Sequence, residues 1–110
     1  MHELAITRGI VEICEKNADG RKVTAVIVEI GALSGVVPEA VEFSFEACAS
    51  GTVVEGARLI IDRIAARGRC PECGAESAPA TYYDPCPACG GYGLEILAGE
   101  EMRVKEMEVD

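Results

Sequence analysis

Cys70-Pro71-Glu72-Cys73-Gly74 and Cys86-Pro87-Ala88-Cys89-Gly90 are two copies of one pattern, C-P-x-C-G, with twelve residues between the pairs. A C-x-x-C pair followed by glycine forms a tight knuckle. Both sulfurs face one point, and backbone N–H groups near the glycine can donate to the thiolates. Two knuckles supply four thiolates, the tetrahedral set that a structural Zn²⁺ ion takes. Gly74 and Gly90 stand where such a turn calls for positive φ, which glycine adopts without a steric penalty. The gap is slightly shorter than the usual zinc spacing, but repetition of the whole unit favours zinc over two disulfides or four unrelated thiols.

The segment from about Arg67 to Ala98, which holds both pairs, is too short to build its own apolar core. Bound metal must therefore supply most of its folding free energy. Tyr82, Tyr83 and Tyr92 all fall inside it, and covering the metal site is their simplest role. The segment interrupts a pattern that alternates helix and strand. Leu4 to about Lys16 reads as an amphipathic helix on Ile6, Ile10 and Ile13, flanked by Val11 and Cys14, with a stop at Asn17-Ala18-Asp19-Gly20. Val23 to Ile30 is a β-branched strand with apolar residues on both faces. Val26, Val28 and Ile30 point one way and Val23, Ala25 and Ile27 the other, which predicts a central strand covered on each side.

Pro38 opens a second helix, in which Val41, Phe45 and Cys48 share one side and Glu39, Glu42 and Glu46 form a solvated acidic row; Gly51 ends it. Cys14 and Cys48 read as packing residues. Ala57 to Ala65 predicts a second strand, and Met102 to Val109 a third whose alternation slips at Lys105-Glu106, the mark of a bulge or an exposed edge. The predicted fold is thus α+β: a small sheet of about three strands with two helices, plus an inserted four-cysteine, zinc-ribbon-like lobe. Residues 1–66, completed by 99–110, form the main unit, and residues 67–98 form the inserted one.

Composition narrows the function. With 110 residues and 49% apolar content the chain can build a core, and without tryptophan that core is mainly aliphatic. A formal net charge of −9 opposes a sequence-independent grip on nucleic acid phosphates. No apolar run approaches a membrane span, no signal peptide is apparent, and six cysteines without one indicate a reducing, cytoplasmic setting. There is no phosphate loop and no recognisable nucleophile–base pair, so an enzyme is not expected. A zinc-ribbon interaction module and a rubredoxin-like iron electron-transfer protein both remain compatible with the cysteine pairs.

The amino terminus is the second place for chemistry. His2 is the only histidine. A terminal amine on Met1, the adjacent imidazole and nearby backbone amides can enclose a divalent metal in a planar nitrogen set, which suits Ni²⁺ or Cu²⁺. Taken alone, a solvated terminal histidine is the plainer reading, with Glu3 favouring the helix start through its dipole.

The whole pattern resembles the HypA/HybF family of hydrogenase nickel-incorporation proteins. The resemblance rests on Met1-His2-Glu3-Leu4 leading into Ile10-Val11-Glu12-Ile13-Cys14, on Glu29 through Val36, on Pro38-Glu39-Ala40, on Glu55-Gly56-Ala57, on both cysteine pairs, and on Gly99-Glu100-Glu101-Met102. Met102 stands where many relatives carry leucine. The resemblance implies a nickel metallochaperone for [NiFe] hydrogenase maturation. It implies Ni²⁺ at His2 and the adjoining backbone, including the Met1 amine, with Glu3 close by through backbone or side chain. Structural Zn²⁺ falls on Cys70, Cys73, Cys86 and Cys89. The implied partners are the GTPase HypB and the hydrogenase large-subunit precursor; a homodimer is also compatible. Some relatives have histidines beside their cysteine pairs, and this chain has none.

Overall fold

The computed structural model describes residues 2–110, the side chain of His2 excepted. The first helix, α1, runs His2–Ala18, with Glu3 in its first turn and Lys16 in its last, each complementing the helix dipole. Strand β1 is Val23–Gly31, helix α2 is Pro38–Ala49, and strand β2 is Arg58–Ile64. Strands β3 (Arg67–Arg69), β4 (Glu76–Ser77) and β5 (Glu95–Ala98) follow, and β6 (Met102–Val109) ends the chain.

The strands form two three-stranded sheets, β2-β1-β6 and β4-β3-β5. β1 is central, as its two-sided apolar pattern predicts: β2 lies parallel on one edge, reached through α2, and β6 antiparallel on the other. The slip in β6 is a bulge. Ile27 pairs with Glu106 and Val28 with Val104, so Lys105 is the extra residue.

The expected cover on both sides of β1 is met unevenly: on the second face Ala25 and Glu29 are buried and Ile27 half-buried, but Ala25 and Ile27 stand outside the main core cluster. The core brings Ile10, Val11 and Cys14 of α1 and Val41, Phe45 and Ala49 of α2 against Val26, Val28 and Ile30. The opposite face carries Ile60 at 37% exposure and the ion pairs Glu29–Arg103 and Asp62–Lys105. Val23 also belongs to the helix-side core. Between Val23↔Val109 and Ala25↔Glu108 the strand β1 has one residue more than β6, so Thr24 is bulged and strict alternation fails there. On α1 the expected stripe is shifted. Ile13 is 48% exposed, while Thr7, which hydrogen-bonds the Glu3 carbonyl, is fully buried. Helical side chains lean toward the preceding turn, so the buried strip follows Thr7, Ile10, Val11, Cys14 and Ala18.

The second sheet belongs to the cysteine-bearing insertion, whose own buried cluster is only Cys70, Cys86 and Leu94. Its two chain connections meet the main sheet at one tight junction. The N–H groups of Gly31, Ala32 and Leu33 donate to the carbonyls of Glu101 (2.7 Å), Ile64 (2.9 Å) and Gly99 (2.7 Å), so one turn clasps both the outgoing and the returning strand. A Cβ on Gly31 would lie 2.1 Å from the Gly99 oxygen, and one on Gly99 would lie 2.7 Å from the Ala66 Cα. Glycine is needed at these two positions because backbone passes against backbone.

Candidate metal centre

Each knuckle is built by the same backbone bonds. Gly74 N–H donates to the Cys70 carbonyl at 2.9 Å and Gly90 N–H to the Cys86 carbonyl at 2.7 Å. Cys70 N–H returns to Ala75 and Cys86 N–H to Gly91. Gly74 and Gly90 have φ of 76° and 77°, the left-handed conformation that their place in the motif predicts. The turn leaves Cys70 and Cys86 buried and Cys73 and Cys89 exposed.

The four Sγ atoms lie within 4.8 Å of one another. Cys70 and Cys89 are 3.6 Å apart, as are Cys73 and Cys86. All six cysteines are free, so the disulfide reading of the pairs is set aside. A tetrahedral thiolate site with metal–sulfur bonds of about 2.3 Å has sulfur–sulfur edges of about 3.8 Å. The cluster therefore fits a metal ion at its centre.

Electrostatics give the same answer. The N–H of Cys73, with help from that of Glu72, holds the Cys70 thiol down to about 7. The Cys89 and Ala88 N–H groups lower Cys86 in the same way. Gly91 N–H favours the Cys89 thiolate, but the sulfurs of Cys70 and Cys73 outweigh it and push Cys89 up to about 12. Ala75 N–H likewise favours the Cys73 thiolate and is outweighed, chiefly by the Cys86 sulfur. Four crowded sulfurs cannot all ionise together without a cation among them, and a divalent metal supplies that charge.

The family model described as hydrogenase/urease nickel incorporation, metallochaperone, hypA matches residues 1–109. The chain belongs to the HypA family. It is 64% identical to a hydrogenase maturation factor HypA of Geotalea uraniireducens and 63% identical to one of Geobacter sulfurreducens, each over the full length of both chains. Among solved structures it resembles the solution structure of the Ni metallochaperone HypA from Helicobacter pylori, with a TM-score of 0.68 and 26% identity, covering 97% of this chain and 96% of that one. A second solution structure of HypA protein gives a TM-score of 0.70 at 27% identity, covering 100% of this chain and 97% of that one. The HypA resemblance of the sequence is thereby borne out, as is the α+β fold with a four-cysteine insertion.

The residues implied by HypA membership occupy separate places. The four cysteines converge in the insertion, whereas Glu3 begins α1, and Glu3 is not part of the cysteine cluster. The Met1 amine and the His2 imidazole lie outside the described residues. The Glu3 carboxylate accepts the Val37 N–H at 3.2 Å. Its own backbone N–H, then that of Val37, hold it below the usual carboxylate range. The three tyrosines do not cover the metal site as expected: Tyr83 is 86% and Tyr92 73% exposed, and the Tyr82 hydroxyl instead donates to Glu100 beside the junction. Among the described residues no helix is long and apolar enough to cross a membrane. Residue patterns missed the clasp at Gly31–Leu33. A glycine at the very end of a buried strand was the available signal.

Proposed function

We propose that this chain is a nickel metallochaperone that delivers Ni²⁺ for maturation of [NiFe] hydrogenase and carries a structural Zn²⁺ on Cys70, Cys73, Cys86 and Cys89. The observation that carries this reading is the match of residues 1–109 to the nickel-incorporation family. The division of labour between the two metals follows from their ligands. Four thiolates close a tetrahedral shell and leave no position for an incoming group, which is the character of a structural site. With that ion bound, the cysteines would hold β3, β4 and β5 together as a unit of residues 67–98, distinct from the nickel-binding unit of residues 1–66 and 99–110.

Nickel is the cargo, and its ligands in this reading are the Met1 amine, the His2 imidazole and the adjoining backbone nitrogens. The peptide nitrogens of His2 and Glu3 belong to the first turn of α1, where N–H groups have no backbone carbonyl to donate to within the helix. A planar nitrogen set leaves two faces open, so a recipient's ligands can approach and exchange without opening the core. Work of this kind moves a metal between ligands and makes no bond in an organic substrate. The implied partners are HypB and the hydrogenase large-subunit precursor, and free cysteines suit a cytoplasmic location.

Nickel titration of untagged chain bearing its native Met1, beside His2→Ala, tests the site. Loss of one nickel equivalent in the variant is expected; unchanged affinity and stoichiometry would sink the proposal. Metal analysis separates zinc from a rubredoxin-like iron site, since zinc protein is colourless and iron–thiolate protein is not.

A further inference from the structure

Helix α2 starts without a capping side chain of its own. Its N-cap residue is Val37, with φ −90° and ψ 110°, whose own side chain makes no capping hydrogen bond. Pro38 follows and has no N–H to satisfy. In a capping box, a Glu or Gln at the third helical position reaches back to the N-cap N–H. Here that position is Ala40, which cannot. The missing acceptor comes from another helix: Glu3, 34 residues earlier, accepts the Val37 N–H through Oε2 at 3.2 Å. The carboxylate thus lies in the first turn of α1 and at the start of α2 together, negative charge beside two positive dipole ends.

We propose that Glu3 is a positioning residue for the amino-terminal nickel site: by accepting the Val37 N–H its side chain ties the first turn of α1 to the start of α2, steadying the peptide that carries the terminal amine and His2, and gives no oxygen to the metal. The inference rests on the nickel reading above. It assigns Glu3 a backbone role at most in the ligand set. Nickel on Oε2 would displace the Val37 N–H from the start of α2, whereas a backbone nitrogen of the same residue can take part without disturbing the tie.

Val37→Pro isolates the tie. Proline removes the donor, its φ lies near the one Val37 already has, and residues 1–3 are untouched. Calorimetric titration with nickel sulfate, on untagged zinc-loaded protein, would compare the wild type with Val37→Pro, Glu3→Ala and Glu3→Gln. Loss of one capping bond predicts that Val37→Pro and Glu3→Ala each weaken nickel binding by about three- to tenfold. Glu3→Gln keeps an acceptor and should stay within about twofold of wild type, as the glutamine form of the capping box does. The nickel absorption band should hold its position in every variant, because the ligand set is unchanged.

Two results overturn the proposal. One is a shifted band in Glu3→Ala with wild-type affinity in Val37→Pro, which makes Glu3 a ligand. The other is wild-type affinity in every variant. Should Val37→Pro fail to fold, the two Glu3 variants decide, since equal losses in both would remove the tie as the cause. Failure of the nickel reading itself looks different: His2→Ala would then bind nickel like the wild type, whatever the Glu3 variants do.

Discussion

Gly31→Ala should loosen the seat of the metal-binding insertion, and the structure says why. Gly31 does not need unusual backbone angles; it needs the absence of a Cβ. An added Cβ would lie 2.1 Å from the Gly99 oxygen, 2.2 Å from its carbonyl carbon and 2.8 Å from the Glu100 nitrogen, all of them backbone atoms. Ordinary carbon–oxygen contacts begin near 3.3 Å, so the returning strand must retreat by about 1 Å. That retreat strains or breaks the bonds from Gly31 N–H to Glu101 and from Leu33 N–H to Gly99, both at 2.7 Å. Overpacking costs about 1–3 kcal/mol and each lost bond about 0.5–1.5 kcal/mol, giving about 2–6 kcal/mol if both bonds are lost. Urea unfolding at fixed, saturating zinc is the assay, with a midpoint expected to fall by about 1–3 M. Gly35→Ala is the control. A Cβ there meets nothing within 4 Å, and only its φ of 79° is penalised, at about 1–2 kcal/mol. A Gly31→Ala midpoint equal to wild type, or a larger loss in the Gly35 variant, would refute the reasoning.

Two further outcomes follow from the packing. Stripping the cysteine-bound metal with a chelator should release amide protection across β3, β4 and β5, whose buried cluster is only three residues, while α1, α2 and the β2-β1-β6 sheet keep theirs; simultaneous loss in both parts, followed by hydrogen exchange, would count against the metal as the staple of the insertion alone. Burial raises the Cys14 thiol above its ordinary range, so the sign of its pH effect is set. Below about pH 8.5 the thiol is neutral in both states; above it the unfolded chain gives up the proton while the folded thiol keeps it, and stability falls as pH rises toward the folded value. Cys14→Ala should flatten that alkaline decline in urea titrations, and an unaltered slope would show that another group causes it.

Much of this architecture was legible in local pattern. The knuckle glycines, the central place of β1, the proline start of α2 and the slip at Lys105 each follow from rules spanning a few residues. The errors came where alternation met something nonlocal. Val23 changed faces because Thr24 bulges against β6, and a bulge is set by the partner strand. The second face of β1 carries a charged pair that alternation does not show, because Glu29 meets Arg103, 74 residues away. The tyrosines of the insertion point to solvent and to Glu100, since a site closed by four short thiolates needs no aromatic lid.

The amino-acid sequence by itself determined the two knuckles, their metal-binding chemistry and the order of the two helices and the three strands of the main sheet, but not β3, β4 and β5 of the insertion, because local patterns reach only neighbours within a turn or two. It also placed the chain in its family through motifs spread from Met1 to Met102. Only the tertiary structure decided how the insertion is seated and what Glu3 touches. The clasp at Gly31 joins three segments through backbone groups that every residue possesses, and the Glu3–Val37 bond spans 34 residues, so neither can be read from neighbours along the chain.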